Sequence, residues 1–203
     1  MPPDKLPFNW FDFVVIIVLL VGIQRGRKRG MSEEMLTMFR WVALVLVCGF
    51  FYEPVGREIA SGSVFGPLEG YVMAYVALAL GVAVVFSLIK RALGGKLVGS
   101  DAFGRGEYYL AMPSGMLRCA CMLMAALALL NARDFSAAEV IAHDKYVKDV
   151  YGSDFFPTLH TAQAAVFNES FTGPYVKKYL GILLIKPTPP KKPGIKLREL
   201  PVL

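Results

Sequence analysis

The chain has little charge and few residues that carry redox or soft-metal chemistry. Only 19% of its 203 residues are charged, and it contains three cysteines and two histidines. Soluble domains carry about 25% charged residues, and three cysteines cannot form the disulfide framework of a small secreted scaffold. The shortage of charge accompanies a surplus of apolar residues, 55% of the chain, which excludes an intrinsically disordered protein.

Sequence motifs of common enzyme and cofactor sites are also missing. There is no Cys-x-x-Cys pair, phosphate-binding loop, serine elbow or paired-carboxylate motif. Cys119 and Cys121 project about 200° apart on a helix and cannot share a metal, and His143 and His160 are isolated in the sequence. We therefore expect a chain that is not an enzyme, with no catalytic residue, no metal site and no cofactor.

The apolar residues are gathered in four blocks, which is typical of membrane helices of about 20 residues. The clearest block, Gly70 to Ile89, contains no charge and covers roughly 30 Å as a helix. The other three contain charges near an end, which snorkelling side chains accommodate, although each also fits a buried core helix. The sequence predicts an all-α membrane protein with four transmembrane helices, at about 8–28, 35–52, 69–90 and 110–131. The basic cluster follows the first block, so we expect a retained helix rather than a cleaved signal peptide.

The chain after the fourth block is less apolar and divides into two parts. Its helical signals are Ser136 as a cap with Glu139 three residues later, and an apolar stretch opened by Pro174. We expect helices at 136–149 and 157–167 and an amphipathic helix at 175–185, on the membrane or against the bundle. The predicted domains are a transmembrane domain at 1–131, a helical extramembrane segment at 132–185 and a Pro/Lys-rich tail at 186–203.

The distribution of basic residues predicts the orientation, because Lys and Arg near membrane spans mark the cytoplasmic side. They cluster around the first and third loops, at Arg25, Arg27, Lys28, Arg29, Arg40, Lys90, Arg91, Lys96 and Arg105. We expect these loops in the cytoplasm and both termini outside, which in a bacterial inner membrane is the periplasm. The tail after the fourth block is mildly basic, but long segments contribute little to orientation, because the rule applies to short loops and to residues near the ends of spans. The net charge of +6 then reflects topology and lipid head groups rather than nucleic-acid binding.

Ionisable side chains in or beside the spans are candidates for function, because they are costly there. Asp12 lies at the outer end of the first helix, where it complements the helix dipole or forms half of a polar or ion-sensing pair. Arg40 and Arg118 lie a turn or two into their helices and are placed to snorkel. Alternatively, Glu34 pairs with one of them, or Arg118 pairs with Asp101.

Small residues at four-residue spacing let helix backbones approach closely, within a chain or between subunits. Gly22, Gly26 and Gly30 have this spacing at the end of the first helix, although the last two also fit a turn. Ala77 and Gly81 form a similar small face on the third helix. These positions predict helix packing and are compatible with a homo-oligomer.

The first two helices resemble a known family. Arg29-Gly30 is followed by Glu34 and Trp41, and a Trp10-x-Asp12 motif opens the helix before them. This order and spacing resembles the signature of the colicin V production protein family.

A second family pattern precedes the fourth helix. Asp101 and Gly104 are followed by Gly115, Arg118 and Cys119. The spacing exceeds the family's by about half a dozen residues, and Cys119 stands where the family has a second glycine. The resemblance covers residues 10–130 and leaves the tail unmatched.

The resemblance implies a small bacterial inner-membrane protein with about four spans that supports toxin production or export, or envelope homeostasis. The family name describes a phenotype, and the resemblance implies no catalytic residue. From the residues themselves, the alternative is a small channel or transporter subunit with Asp12, Arg40 or Arg118 at its gate. The expected partners are the lipid bilayer and, through the tail, a second copy or another membrane protein.

Overall fold

The protein is described from a computed structural model that covers residues 8–62, 64, 66–98, 106–151 and 158–189. Within these ranges the chain is nearly all helical and has no β-strand beyond one isolated bridge between Arg133 and Thr188, so the predicted helical class is confirmed. The α-helices of this part are α1 (Trp10–Arg29), α2 (Met31–Ser61), α3 (Pro67–Val98), α4 (Glu107–Leu130), α5 (Ala137–Tyr151), α6 (Leu159–Phe167) and α7 (Thr172–Tyr179). A short 3₁₀ helix, Gly181–Leu183, follows α7.

Among the described residues, three helices are long and apolar enough to cross a membrane: Met31–Ser61, Pro67–Leu93 and Glu107–Leu130. The prediction of four spanning helices is therefore corrected to three candidates. The first predicted span is present as helix α1 but does not qualify as a span. Its apolar stretch is shortened by Asp12 in its first turn and by the basic residues of its last turn, Arg27, Lys28 and Arg29.

Helix α1 has clear signals at both ends. Asn9 and Asp12 form a capping box, in which the Asp12 carboxylate accepts the Asn9 backbone N–H at 3.0 Å. Gly30 ends α1 with a φ of 81°, a conformation that glycine adopts without steric cost. The chain therefore turns directly from α1 into α2.

The four long helices pack as two pairs, α1 with α4 and α2 with α3, joined through α2 and α4. A Cβ atom on Gly26 would lie 2.1 Å from the carbonyl oxygen of Ala111, and one on Gly22 would lie 2.7 Å from that of Gly115. Gly22 and Gly26 therefore lie at a close approach of antiparallel backbones. In contrast, Gly81 has no described atom within 4 Å of an added Cβ, so this position packs against nothing within the described chain, and Ala77 is exposed as well.

Helix α2 extends well beyond the predicted end at residue 52. It continues through Pro54 to Ser61, and this extension packs on α3, where a Cβ atom on Gly70 would lie 2.7 Å from the Gly56 carbonyl oxygen. Close packing against α3 thus stabilises the helix past a residue that lacks a backbone N–H.

The helices that follow α4 agree with the sequence pattern except at α7. The Ser136 hydroxyl accepts the Glu139 N–H at 3.3 Å and caps α5, as predicted. The predicted helix at 175–185 is wrong in extent, because α7 ends at Tyr179 and the chain is extended at Leu184. Leu184 and Ile185 are buried in the core beside α2, so the apolar residues predicted on a helix enter the core instead. Residues 190–203 of the predicted tail lie outside the described residues.

Candidate functional site

Three charged residues meet inside the bundle where α1 ends and α2 begins. We call Arg29, Glu34 and Arg118 the charge cluster. Glu34 is fully buried and Arg118 is 4% exposed, and the Arg118 Nη1 atom contacts the Glu34 Oε1 atom. The Arg29 Nη1 atom lies 3.7 Å from Glu34 Oε2. The cluster thus joins α1, α2 and α4 through one carboxylate.

The structure distinguishes between the pairings that the sequence left open. Glu34 pairs with Arg118 and not with Arg40. Arg40 is half-buried, and its Nε atom has no hydrogen-bond partner in the described part of the chain. Asp101, the alternative partner of Arg118, lies outside the described residues.

The charge cluster is incompletely neutralised. Two guanidinium groups face one carboxylate, which leaves a net charge of +1. Neither Glu34 oxygen accepts a well-aligned hydrogen bond, and Arg118 Nε donates none, within the described residues. Removing charges from water is costly unless partners satisfy them, so the cluster retains a capacity to bind a further anionic or polar group.

Glu107, at the start of α4, caps the neighbouring helix α2. Its Oε1 atom accepts the Ser32 backbone N–H at 3.3 Å. The residue before α2 is Gly30, which has no side chain to make this bond. Glu107 was not identified from the sequence. The available signal was that α2 follows a glycine, so the free N–H groups of its first turn need an acceptor from another part of the chain.

A groove of about 400 Å³ opens beside the charge cluster. We call it the arginine groove. It is bounded by α1, α2 and α4, with charged residues toward the end of α1 and apolar residues deeper along it. Its lining residues are Ile17, Val18, Val21, Arg25, Arg29, Thr37, Arg118, Cys119 and Met122.

Asp12 organises the opposite end of α1. It is 2% exposed, and besides the Asn9 N–H its carboxylate accepts the backbone N–H groups of Phe171 and Thr172, both at 2.9 Å, and the Thr172 hydroxyl. Burial raises the pKa of Asp12, but these hydrogen bonds outweigh burial and hold the pKa at about 2, below the ordinary value of 3.8. Asp12 is therefore an ionised cap for the first turn of α7. The sequence placed Asp12 correctly at the start of α1 but contained no signal for its partner in α7.

The chain after α7 is fixed on the same end of the bundle. Ile185 is fully buried, and its carbonyl oxygen accepts the Asn131 side-chain amide at 2.9 Å. The Lys186 backbone N–H donates to the Tyr52 hydroxyl at 3.1 Å, and its ammonium group lies 2.8 Å from a Glu53 oxygen. These contacts hold the segment that follows α7 to α2 and to the end of α4.

The cysteines and histidines do not gather into a site in the described residues. Cys48, Cys119 and Cys121 are all buried and unbridged. No group of three His, Cys, Asp or Glu side chains is close enough to hold a metal ion in the part of the chain that the structure covers.

The chain was compared with known proteins in three ways. The family model of the colicin V production protein matches residues 11–164, which contain the bundle, the charge cluster and Asp12. The comparison with curated proteins and the comparison with solved structures each gave no match.

Proposed function

This chain belongs to the colicin V production protein family, and we propose that it is a non-catalytic protein of the bacterial inner membrane that supports the production or export of a colicin-type toxin, or more broadly the homeostasis of the cell envelope. Its long apolar helices make it a multi-pass membrane protein. The observation that carries the proposal is how the buried charges are used. Glu34 and Arg118 join helices to one another, and Asp12 fixes α7 to the bundle, which is the chemistry of a scaffold.

Helix α1 is not one of the three spanning candidates, and we propose that it packs against α4 with an apolar face toward lipid. It lies along the whole of α4, from Gly30 beside Glu107 to Asn9, whose side-chain amide donates to the Ala165 carbonyl beyond the far end. Its exposed apolar side chains, which suit contact with lipid, are Phe13, Ile16, Ile17, Leu20 and Val21.

The proposed orientation has the basic end of α1 in the cytoplasm and the Asp12 end, with α5–α7, in the periplasm. Arg27, Lys28 and Arg29 in the last turn of α1 support this direction. Fusions after residue 203 test it: alkaline phosphatase should be active, and a green fluorescent protein should be dark. The opposite pair of results would overturn the orientation.

The proposed contact with a partner is through the extramembrane segment. Three aromatic side chains of α7 and its flank are exposed, Phe171, Tyr175 and Tyr179, and the last two stack with a ring separation of 6.4 Å. Exposed aromatic rings are enriched in protein interfaces and at membrane surfaces. Crosslinking from Tyr179 in whole cells should give one reproducible protein adduct, with a second copy of the chain or with another membrane protein. Adducts with lipid alone would exclude a protein partner at this surface.

A secretion assay tests the role itself. A strain that lacks this chain should release less toxin and tolerate bile salts or detergents less well, and the wild-type chain should restore both. Asp12→Ala, which releases α7, should restore them poorly, whereas Gly81→Ala serves as a control at an open position. Normal toxin release and normal detergent tolerance in the deletion strain would contradict the proposal.

A small channel or transporter subunit is the second candidate, and the incompletely neutralised charge cluster favours it. The purified protein in liposomes distinguishes the two functions. Ion flux that Arg118→Leu abolishes while the helices stay folded would support the channel and overturn the scaffold. Flux no greater than that of empty liposomes would support the scaffold.

A further inference from the structure

We propose that the arginine groove binds one anionic phospholipid, with its phosphate group held by Arg25, Arg29 and Arg118 and an acyl chain lying along α1. This is a specific lipid site and goes beyond the general solvation of the bundle by the bilayer. It depends on neither the toxin-related role nor the orientation of the chain.

The polar part of the groove carries an excess of positive charge. Three arginines line it, and the Glu34 carboxylate contacts Arg118 and lies 3.7 Å from Arg29. Arg118 is 4% exposed, and its Nε atom donates to no acceptor in the described chain. Arg25, Arg29, Arg118 and Glu34 together have a net charge of +2, which the single negative charge of one phosphodiester reduces to +1. Basic pockets between transmembrane helices commonly bind lipid head groups.

The remaining wall is apolar and lies deeper along the same helix. Ile17, Val18 and Val21 precede Arg25 on α1 and line the groove with Met122 of α4. From Ile17 to Arg25 the helix rises about 12 Å, so the apolar wall extends inward from the arginines along the direction that an acyl chain takes. Ile17 is 58% exposed and Val21 is 49% exposed, which leaves apolar surface for such a chain to cover.

A second groove, which adjoins the first along α1, provides an internal comparison. It has a similar volume of about 420 Å³ and shares Ile17 and Val21, but its one arginine is Arg27. A similar volume with fewer arginines predicts weaker selection for anionic lipid. The arginines therefore distinguish the proposed site from ordinary lipid-facing surface.

Titration of the delipidated full-length protein, in neutral detergent, with fluorescent phosphatidylglycerol tests the proposal. Loss of one basic group near a lipid phosphate should weaken binding by about fivefold. Arg25→Gln, an exposed residue that lines the groove, should show this loss. Lys28→Gln is the matched control, because it removes the same charge from the same helix end but lies outside the groove. Its affinity should change by less than about twofold.

Two further arms separate a lipid from a free anion. Phosphatidylcholine should bind more weakly than phosphatidylglycerol, and millimolar inorganic phosphate should not displace the lipid. Ile17→Ser should weaken binding, whereas Ile16→Ser, at an exposed position outside the groove, should not. Equal losses of lipid affinity in Arg25→Gln and Lys28→Gln would show only a general attraction between basic residues and anionic lipid, and would overturn the proposed site. Displacement of the bound lipid by inorganic phosphate would identify a site for free anions and overturn the proposal of a lipid site.

Discussion

Glu34 and Arg118 form an ion pair that is almost completely removed from solvent, with side chains 0% and 4% exposed. Glu34 lies in the first turn of α2, whereas Arg118 lies well inside α4. Each charge is tolerable there because of the other, since an unpaired charge in such surroundings costs several kcal/mol. The pair therefore fixes the register of two helices as well as stabilising their contact.

Glu34→Gln should destabilise the bundle by about 3–5 kcal/mol, because it leaves Arg118 buried without its counter-charge. Unfolding followed by circular dichroism during titration with a denaturing detergent measures this effect. Glu33→Gln, at the exposed neighbouring position, is the control. The double variant Glu34→Leu with Arg118→Leu should recover much of the loss. A double variant that loses as much stability as Glu34→Leu and Arg118→Leu added together would show that the two residues act independently.

Gly26→Ala should weaken the packing of α1 on α4. The added Cβ would lie 2.1 Å from the Ala111 carbonyl oxygen, so the backbones must separate, at a cost of about 1–3 kcal/mol. Gly81→Ala adds the same methyl group in a helix at an open position, where alanine favours the helix by about 1 kcal/mol. Thermal unfolding of both variants in detergent should therefore give shifts of opposite sign, and equal shifts would contradict the close approach at Gly26.

Asp12→Ala should release α7 from the bundle. It removes a charged acceptor from the first turn of that helix, a loss of about 2 kcal/mol, which corresponds to about thirtyfold more frequent opening. Trypsin cleavage at the exposed residues Lys177 and Lys178 should accelerate accordingly. Thr172→Val keeps the backbone bonds to Asp12 and removes only the hydroxyl bond, so its effect should be smaller. Unchanged cleavage in Asp12→Ala would contradict the capping role.

Attachment of α7 should depend on pH in the acid range. Asp12 lies outside the three membrane-spanning candidates, and hydrogen bonds hold its pKa at about 2, below 3.8. The lowered pKa means that its contribution is complete above pH 3.8 and is lost as the pH falls through about 2. Pepsin cleavage of α7 should therefore be slower in the wild type than in Asp12→Ala at pH 4. The difference should vanish near pH 2, and a constant difference would contradict this assignment.

Ile185→Ala should destabilise the docking of the extended segment after α7. Its side chain is fully buried, and truncation of such a residue costs about 2–5 kcal/mol. Ile182→Ala, three residues earlier and 68% exposed, should change stability by less than about 0.5 kcal/mol. Hydrogen exchange at the Lys186 N–H, which donates to Tyr52, measures the docking directly. Equal exchange rates in the two variants would show that burial at 185 does not hold this segment.

The sequence predicted the parts of the fold that depend on local pattern. Helices α2, α3 and α4 were predicted from their long apolar runs. The backbone N–H and C=O groups of such a run must form hydrogen bonds within the segment, and a helix provides them. Because an unpaired buried charge is costly, the sequence also predicted that Glu34 pairs with Arg40 or Arg118. In the structure its partner of these two is Arg118. Such arguments require no knowledge of how the helices are arranged.

The parts that the sequence did not predict depend on that arrangement. Asp12 and Glu107 cap helices from distant positions, and such a partner is set by packing rather than by spacing. Leu184 and Ile185 are apolar at positions that also suit an amphipathic helix, but they enter the core in an extended segment. The sequence predicted a span at 8–28 with snorkelling charges at its ends, but these charges shorten the apolar stretch of α1, which is not among the three qualifying helices.

The contact between Asp12 and Thr172 has a consequence for synthesis, because 160 residues separate its two halves. A ribosome that adds about 5–20 residues per second needs roughly ten to thirty seconds to cover that distance. Throughout this interval the carboxylate lacks the α7 amides that later surround it, and hydration keeps it at the water boundary. The growing chain thus leaves the Asp12 carboxylate with water and the local Asn9 N–H as its partners until α7 emerges and completes the contact.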